Sequence, residues 1–262
     1  LIGITKDPKT LEYIIVMHYS QGGSLRSNLQ KICMSSWKVK LRHLAVIIAG
    51  LKGIHDLNLI HGDLHSDNIF LSNYDTFQIG DLGFTKLSKN YSSKNEELYG
   101  VLPYVAPEVL KGDSYTQAAD IYSFGMLMWS ISTGRFPFEN DRHNDETILA
   151  IKITINGLRP EFAQGTPNFY IDLAMQCMKA NPMDRPSAKD VSEKLEHWMN
   201  ILKTESNLLK EDQLKISNAF LSADNIISNM LETSQHHQQN DVMYPSKLIN
   251  TSKILKAINV EA

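Results

Sequence analysis

The first twenty residues alternate between strand-forming runs and a turn. LIGIT precedes KDPKT, which carries the Pro and Asp of a turn, and LEYIIVMHYS follows as a β-branched and aromatic run, so two strands joined in a hairpin are expected. QGGS at 21–24 ends this pattern. From Val39 to Leu57 the apolar residues Leu41, Leu44, Ile48, Leu51 and Ile54 recur in steps of three and four, which predicts an amphipathic helix leading into HGDLHSDN. IFLS and FQIG, joined by NYDT, read as a small hairpin that ends at Asp81, Leu82 and Gly83. A polar stretch runs from there to about Gly100. Residues 118–133, AADIYSFGMLMWSIST, are apolar on nearly every side and predict a helix buried all round, the axle of a helical domain. Further helices are expected at 143–156, 169–179 and 187–203, interrupted by GLRPEF and NPMDRPS. Beyond Lys203 the texture changes, and 204–262 reads as a tail, largely disordered or loosely helical over 206–232. His236 and His237 in that tail read as solvated linker, because no further Cys or His accompanies them.

Composition narrows the class. With 262 residues, 42 % of them hydrophobic, the chain has material for one large or two modest cores. A formal charge of -3 and a pI near 6.3 supply no basic field for nucleic acid and no polycationic patch for an anionic membrane. The longest apolar runs, LAVIIAGL and FGMLMWSI, are far shorter than the roughly 20 residues a membrane span requires. Cys33 and Cys177 stand far apart, a usage that fits reduced, packed thiols and a cytoplasmic location. The chain opens at Leu1 in strand-like sequence without a signal peptide, which reads as a cut rather than a start.

The candidate chemistry lies in HGDLHSDNIF at 61–70. His61, Asp63, His65 and Asp67 alternate, and on a plain strand all four would share one face as a nest of nitrogen and oxygen ligands. The rival is a catalytic loop in which only some of them act. Asp63 and Asn68 on this loop and Asp81 at the end of the next hairpin suit phosphoryl transfer: a hard divalent cation takes carboxylate and amide oxygens, and a hydroxyl nucleophile needs a separate carboxylate to accept its proton.

HGDLHSDNIF followed by DLG resembles the H-R-D-L-x-x-x-N catalytic loop and D-F-G metal loop of eukaryotic protein kinases. GVLPYVAPE at 100–108 is similar to the end of a kinase activation segment, DIYSFG at 120–125 to the opening of the family's central helix, and NPMDRPS carries its late arginine, Arg185. The resemblance covers about residues 1–200. It implies an α+β, protein-kinase-like fold: 1–20 a remnant of the β N-terminal lobe with the hinge, 21–203 the helical C-terminal lobe, and 204–262 the tail. It also implies ATP and Mg²⁺ as cofactors and a protein as substrate. Asp63 is then the catalytic base, Asn68 a second metal ligand and Asp81 the principal Mg²⁺ ligand. Glu108 and Arg185 look like the pair tying the activation segment to the helical lobe, and Asp120 like the anchor of the catalytic-loop backbone. YIIVMHYSQGGSL resembles the family's strand and hinge, which implies Met17 at the back of the adenine pocket, the backbone of His18 and Ser20 on the adenine edge, and Phe70 as the pocket floor.

Several positions depart from the family. Gly62 replaces the arginine that receives an activation-segment phosphate, so activity is expected not to require phosphorylation at Ser88, Tyr91, Ser92, Ser93 or Tyr99. His65 occupies the place of a lysine on the γ-phosphate, and a neutral imidazole there gives weaker electrostatic help. Leu82 keeps an apolar plug, and Val101 replaces a threonine of the substrate-docking loop. No G-x-G-x-x-G loop or V-A-I-K lysine occurs in the 262 residues, so little activity is expected from them alone. Three readings follow: a serine/threonine kinase of the tyrosine-kinase-like group acting in signal transduction, a pseudokinase serving as a binding or scaffold module, and the metallohydrolase suggested by the alternation. Asp67 is expected to be solvated on the kinase reading, and His61 packed.

Overall fold

The computed structural model of the chain describes residues 2–72, 76–87, 98–139, 146–233 and 246–261. β1 (Gly3–Lys6) and β2 (Tyr13–Val16) pair antiparallel, Gly3 opposite Val16 and Lys6 opposite Tyr13, as the LIGIT/LEYIIV pattern predicts. Asp7 closes the turn by accepting the N–H groups of Lys9 and Thr10. α1 (Leu25–Cys33), absent from the sequence reading, starts where the Ser24 hydroxyl accepts from Ser27 N and buries Leu25, Leu29 and Ile32 on one face. α2 (Trp37–Asp56) follows and buries Leu41, Leu44, Ile47, Ile48 and Leu51. Its partner along most of its length is α7, introduced below.

Four short strands frame the predicted loops. β3 (Leu59–Ile60) leads into the HGDLHSDN loop, β4 (Ile69–Leu71) and β5 (Phe77–Ile79) form the expected antiparallel hairpin, and β6 (Lys86–Leu87) returns to pair with β3. That return brings the segment after Asp81 back beside the loop that begins at His61. β7 (Leu98–Gly100) and the short helix α3 (Pro107–Leu110) carry GVLPYVAPE.

α4 (Gln117–Thr133) is the buried axle: every residue from Ala119 to Ser132 is buried. It ends at Gly134 in the left-handed conformation (φ 72°), and a Cβ there would collide with Cys33 Sγ, so glycine both terminates α4 and lets α1 approach. α5 (Glu146–Thr154), α6 (Asn168–Cys177) and α7 (Ala188–Ile201) match the three predicted helices within a few residues. α6 crosses α4 closely at Gly125, where a Cβ would lie 2.7 Å from Met178 Cγ. α7 begins with a capping box between Ser187 and Asp190.

The tail departs from expectation over its described part. α8 (Glu211–Thr233) is docked rather than loose: Phe220 is fully buried among Trp37, Phe169 and Trp198, and the Asp224 carboxylate accepts the Trp37 N–H at 2.7 Å. The physical reason is an aromatic side chain that fills a site left between α2, α6 and α7. β8 (Lys247–Ile249) pairs antiparallel with β7, and α9 (Thr251–Glu261) packs on α5, burying Ile249 and Ile254. His236 and His237 lie outside the described residues. Among the described residues no helix is long and apolar enough to cross a membrane.

Candidate active site

The HGDLHSDN loop is pinned from beneath by one carboxylate. Asp120, in the first turn of α4, accepts the His61 N–H at 2.8 Å on Oδ2 and the Gly62 N–H at 3.0 Å on Oδ1, and His55 Nε2 lies 2.9 Å from Oδ2. Gly62 has φ +80°, and a Cβ there would stand 3.2 Å from the Phe84 carbonyl oxygen. An arginine at this position would therefore be strained in this backbone, so the departure at Gly62 is matched by the local geometry.

The alternating residues separate instead of forming one ligand face. His61 is buried with both ring nitrogens engaged: Nε2 lies 3.1 Å from the Gly80 carbonyl and Nδ1 accepts the Asp63 N–H at 3.2 Å. A carbonyl can only accept, so Nε2 carries the proton and neither nitrogen is free for a metal. Asp63 is 5 % exposed, and Asn68 Nδ2 donates both to its carbonyl at 2.9 Å and to its Oδ2 at 3.2 Å. Burial alone would raise the Asp63 carboxyl, but hydrogen bonds from His65 and Ser246 and the neighbouring imidazoles hold it below the ordinary carboxylate range. Among the described residues no group of three or more His, Cys, Asp or Glu could hold a metal ion.

His65 differs from its expected placement. Its Nδ1 accepts the Asp67 N–H at 3.3 Å, while Nε2 sits 3.1 Å from Ser246 Oγ and 3.5 Å from Asp63 Oδ2. The ring is buried against Tyr104 and directed at the carboxylate and a hydroxyl, whereas the sequence reading has His65 standing in for the family's phosphate-binding lysine. Asp67 is not solvated: its Oδ2 is buried without a hydrogen-bond partner, and burial raises its carboxyl above the ordinary range. The segment is too compact for period-two exposure, because residues 66–68 turn in a single 3₁₀ turn.

Asp81 follows β5 in the left-handed conformation (φ 52°), exposed, with its Oδ1 accepting the Gly83 N–H at 3.3 Å. The β4–β5 pairing sets Ile79 opposite Ile69, and Gly80 N donates to the Asn68 carbonyl at 2.8 Å, which brings the Asp81 corner beside the Asn68 corner. The hinge residues are likewise gathered. Ser20 Oγ donates to the Leu71 carbonyl at 2.6 Å, Leu71 N donates to the Gly23 carbonyl, and Ser24 bridges to Phe70, whose ring lies against Gly80. Ser20 is therefore tied to Leu71, the residue after Phe70, whereas Met17 is 63 % exposed and His18 lies exposed beyond the end of β2.

The supporting pair is bidentate. Arg185 Nη1 and Nη2 donate to the two Glu108 carboxylate oxygens at 2.7 and 2.6 Å, and the guanidinium also reaches the Lys179, Ala118 and Ala180 carbonyls. Tyr104, which the sequence reading did not single out within GVLPYVAPE, places its hydroxyl between Ser66 and Ser130, each at 3.2 Å, and its carbonyl accepts from Ser123. It ties the catalytic loop to α4. Ser246 was also missed, and no local signal marks it, since its position at Asp63 depends on a strand pairing with β7.

The family model for the protein kinase domain matches residues 1–199. A probable serine/threonine-protein kinase of Dictyostelium discoideum is 32 % identical over 179 residues, covering 67 % of this chain and 19 % of that protein. A putative serine/threonine-protein kinase/receptor of Acanthamoeba polyphaga mimivirus is 31 % identical over 180 residues, covering 68 % of this chain and 10 % of that protein. Human receptor-interacting serine/threonine-protein kinase 1 is 29 % identical over 259 residues, covering 92 % of this chain and 37 % of that protein. The chain thus spans a tenth to somewhat over a third of the length of these relatives. With the loop anchored on Asp120, the corners of Asn68 and Asp81 brought together and the Glu108–Arg185 pair in place, the family match over residues 1–199 has a structural counterpart, and the chain belongs to the eukaryotic protein kinases.

Proposed function

We propose that the protein transfers the γ-phosphoryl group of ATP to serine or threonine hydroxyls of protein substrates, as a cytoplasmic signalling kinase of the tyrosine-kinase-like group. The observation that carries this reading is Asp63: a buried carboxylate, fixed by Asn68 and receiving a hydroxyl hydrogen bond at 2.6 Å. That distance is what a general base needs to take the proton of an attacking alcohol. His65 positions the same carboxylate and hydroxyl through Nε2.

The donor set fits Mg²⁺. Asn68 has spent its Nδ2 on Asp63, which leaves its amide oxygen as a hard ligand, and Asp81 offers a carboxylate on the adjoining corner. Asn68 and Asp81 would hold the ion, which when bound neutralises charge on the phosphates. Ser20 and Phe70 would edge and floor an adenine pocket completed by the backbone of His18 and by Met17. Residues 1–262 contain no G-x-G-x-x-G loop and no V-A-I-K lysine, and activity is to be measured on the full-length protein.

The test compares that protein with its Asp63→Asn variant, using Mg-ATP and a degenerate serine/threonine peptide library. Loss of the base lowers transfer by about 10²–10⁴-fold while ATP binding persists. ATP binding with no transfer in either protein would instead make the chain a pseudokinase, the reading favoured by Gly62 and by the inward-facing His65. With no arginine at Gly62 to receive an activation-segment phosphate, replacing Ser88, Tyr91, Ser92, Ser93 and Tyr99 by residues that cannot be phosphorylated leaves the activity in place.

A further inference from the structure

The described end of the tail forms a strap across the mouth of the site. β8 adds to β7 as an antiparallel strand, with Leu98 opposite Ile249, Tyr99 opposite Leu248 and Gly100 opposite Lys247. Three contacts hold it there. Ile249 and Ile254 are buried, α9 packs on α5, and Lys247 Nζ lies 2.5 Å from Glu146 Oε1. Gly100 lets β7 itself run close to the site: a Cβ on it would stand 3.1 Å from Val105 Cγ2 and 3.7 Å from Asp63 Oδ1. One residue before Lys247, this register delivers Ser246, whose hydroxyl donates to Asp63 Oδ2 at 2.6 Å and faces His65 Nε2 at 3.1 Å.

Addition of an extended segment to an exposed strand edge is a general mode of peptide docking, in which main-chain pairing fixes register and places one chosen side chain. Here the side chain so placed is a hydroxyl, and it meets the carboxylate that would act as base. A serine used only to pin the tail could bond any polar group. Ser246 instead makes the one hydrogen bond that an alcohol nucleophile must make before attack, and the imidazole N–H on its oxygen leaves a lone pair for the phosphorus.

We propose that residues 246–261 are an intramolecular substrate and that Ser246 is its phosphate acceptor, an inference that rests on the phosphotransfer reading above. In the step, Ser246 Oγ forms a bond to the γ-phosphorus of ATP, the bond from that phosphorus to the β–γ bridging oxygen breaks, the hydroxyl proton passes to Asp63 and ADP departs. A phosphoserine carries about -1.5 to -2 charges, so the product is repelled by Asp63 and the strap leaves β7. The unmodified strap therefore holds the groove closed to other substrates, and its own phosphorylation opens it.

The test uses the dephosphorylated full-length protein with Mg-ATP and the same peptide library in one reaction, reading Ser246 by phosphopeptide mass spectrometry over a series of protein dilutions. Phosphate appears on Ser246 at a rate per molecule that dilution does not change. Ile249→Asp, which would bury an unpaired carboxylate under the strap, slows it by at least about tenfold while library phosphorylation continues. Lys247→Glu sets like charges against Glu146 at the surface, threatens no core, and slows it in the same direction by less. A phosphorylated library with Ser246 bare, or a Ser246 rate that rises with protein concentration, overturns the proposal and leaves the kinase reading standing. An unmodified library and an unmodified Ser246 in folded protein overturn both.

Discussion

Residues 61–68 and residues 246–261 meet at Asp63, but they are held there in different ways. The HGDLHSDN loop hangs on buried hydrogen bonds: Asp120 of α4 takes its backbone, its own Asn68 takes the Asp63 carbonyl, and Tyr104 grips Ser66. The strap lies on it through a three-residue strand pairing, two buried isoleucines and a surface ion pair. Buried polar networks leave unsatisfied groups behind when they are broken, whereas a short edge strand can leave with little more than its own contacts. On the proposed function one arrangement suits a part that stays fixed through every turnover, and the other the strap that is proposed to come and go.

The sharpest way to break that comparison is to remove the fixed anchor. Asp120→Ala strands the N–H groups of His61 and Gly62 and the ring of His55 in a buried site. We expect a loss of about 3–5 kcal/mol, the scale for removing one side of a buried charged network, read as a lower midpoint in urea unfolding at unchanged slope. A cost under about 1 kcal/mol, the scale of a single ordinary hydrogen bond, would mean that the loop is held no more firmly than the strap.

The tail itself divides on the same principle. Phe220 of α8 is fully buried in the cluster of Trp37, Phe169 and Trp198, so this helix belongs to the core although it lies beyond the family match. Phe220→Ala is expected to cost about 3 kcal/mol, within the range for deleting a core aromatic. Truncation after α8, which removes residues 234–262 and the strap with them, should cost far less in the same unfolding measurement.

What could be read from the residues follows this division. The Glu108–Arg185 pair and the Asp120 anchor were legible because GVLPYVAPE, NPMDRPS and DIYSFG resemble motifs of the kinase family, and the structure contains the bonds which that resemblance implies. The axle α4 was legible because an all-apolar helix has nowhere to go but the interior. α1 was missed, although Ser24 with Leu25, Leu29 and Ile32 forms a cap and a stripe, because the glycines before it dominate the local reading. Phe220 and Ser246 were missed for a deeper reason. Ser246 meets Asp63 and Phe220 meets Trp37 across 183 residues of chain, and a loosely amphipathic helix or a Ser-Lys pair looks the same whether docked or free. Asp67, expected to be solvated on the kinase reading, was misplaced because a loop position carries no sequence signal for burial, and the 3₁₀ turn at 66–68 folds its carboxylate inward.

The smallest effect sharpens the comparison where the tail helix meets the body. Lys40 is almost wholly enclosed, its ammonium 4.7 Å from the Trp37 ring, and burial pushes it down to about 8, against the weaker pulls of Cys33 and of Asp224 on α8. A lysine whose folded value lies below its reference value of about 10.4 binds fewer protons folded than unfolded between those limits. Stability therefore rises with pH from about 8 towards 10.4, and the full penalty applies below about 8. Lys40→Met removes the penalty but also the cation–π contact, for a net gain of about 1–2 kcal/mol at neutral pH. The gain should shrink as pH approaches 10.4, since other groups titrate alike in both proteins and cancel in the difference. Melting temperatures of the two proteins at pH 7 and at high alkaline pH check this. A gap that stays constant with pH would mean that Lys40 keeps its charge at ordinary cost, and that the seam between α2 and α8 is wetter than the packing of Phe220 implies.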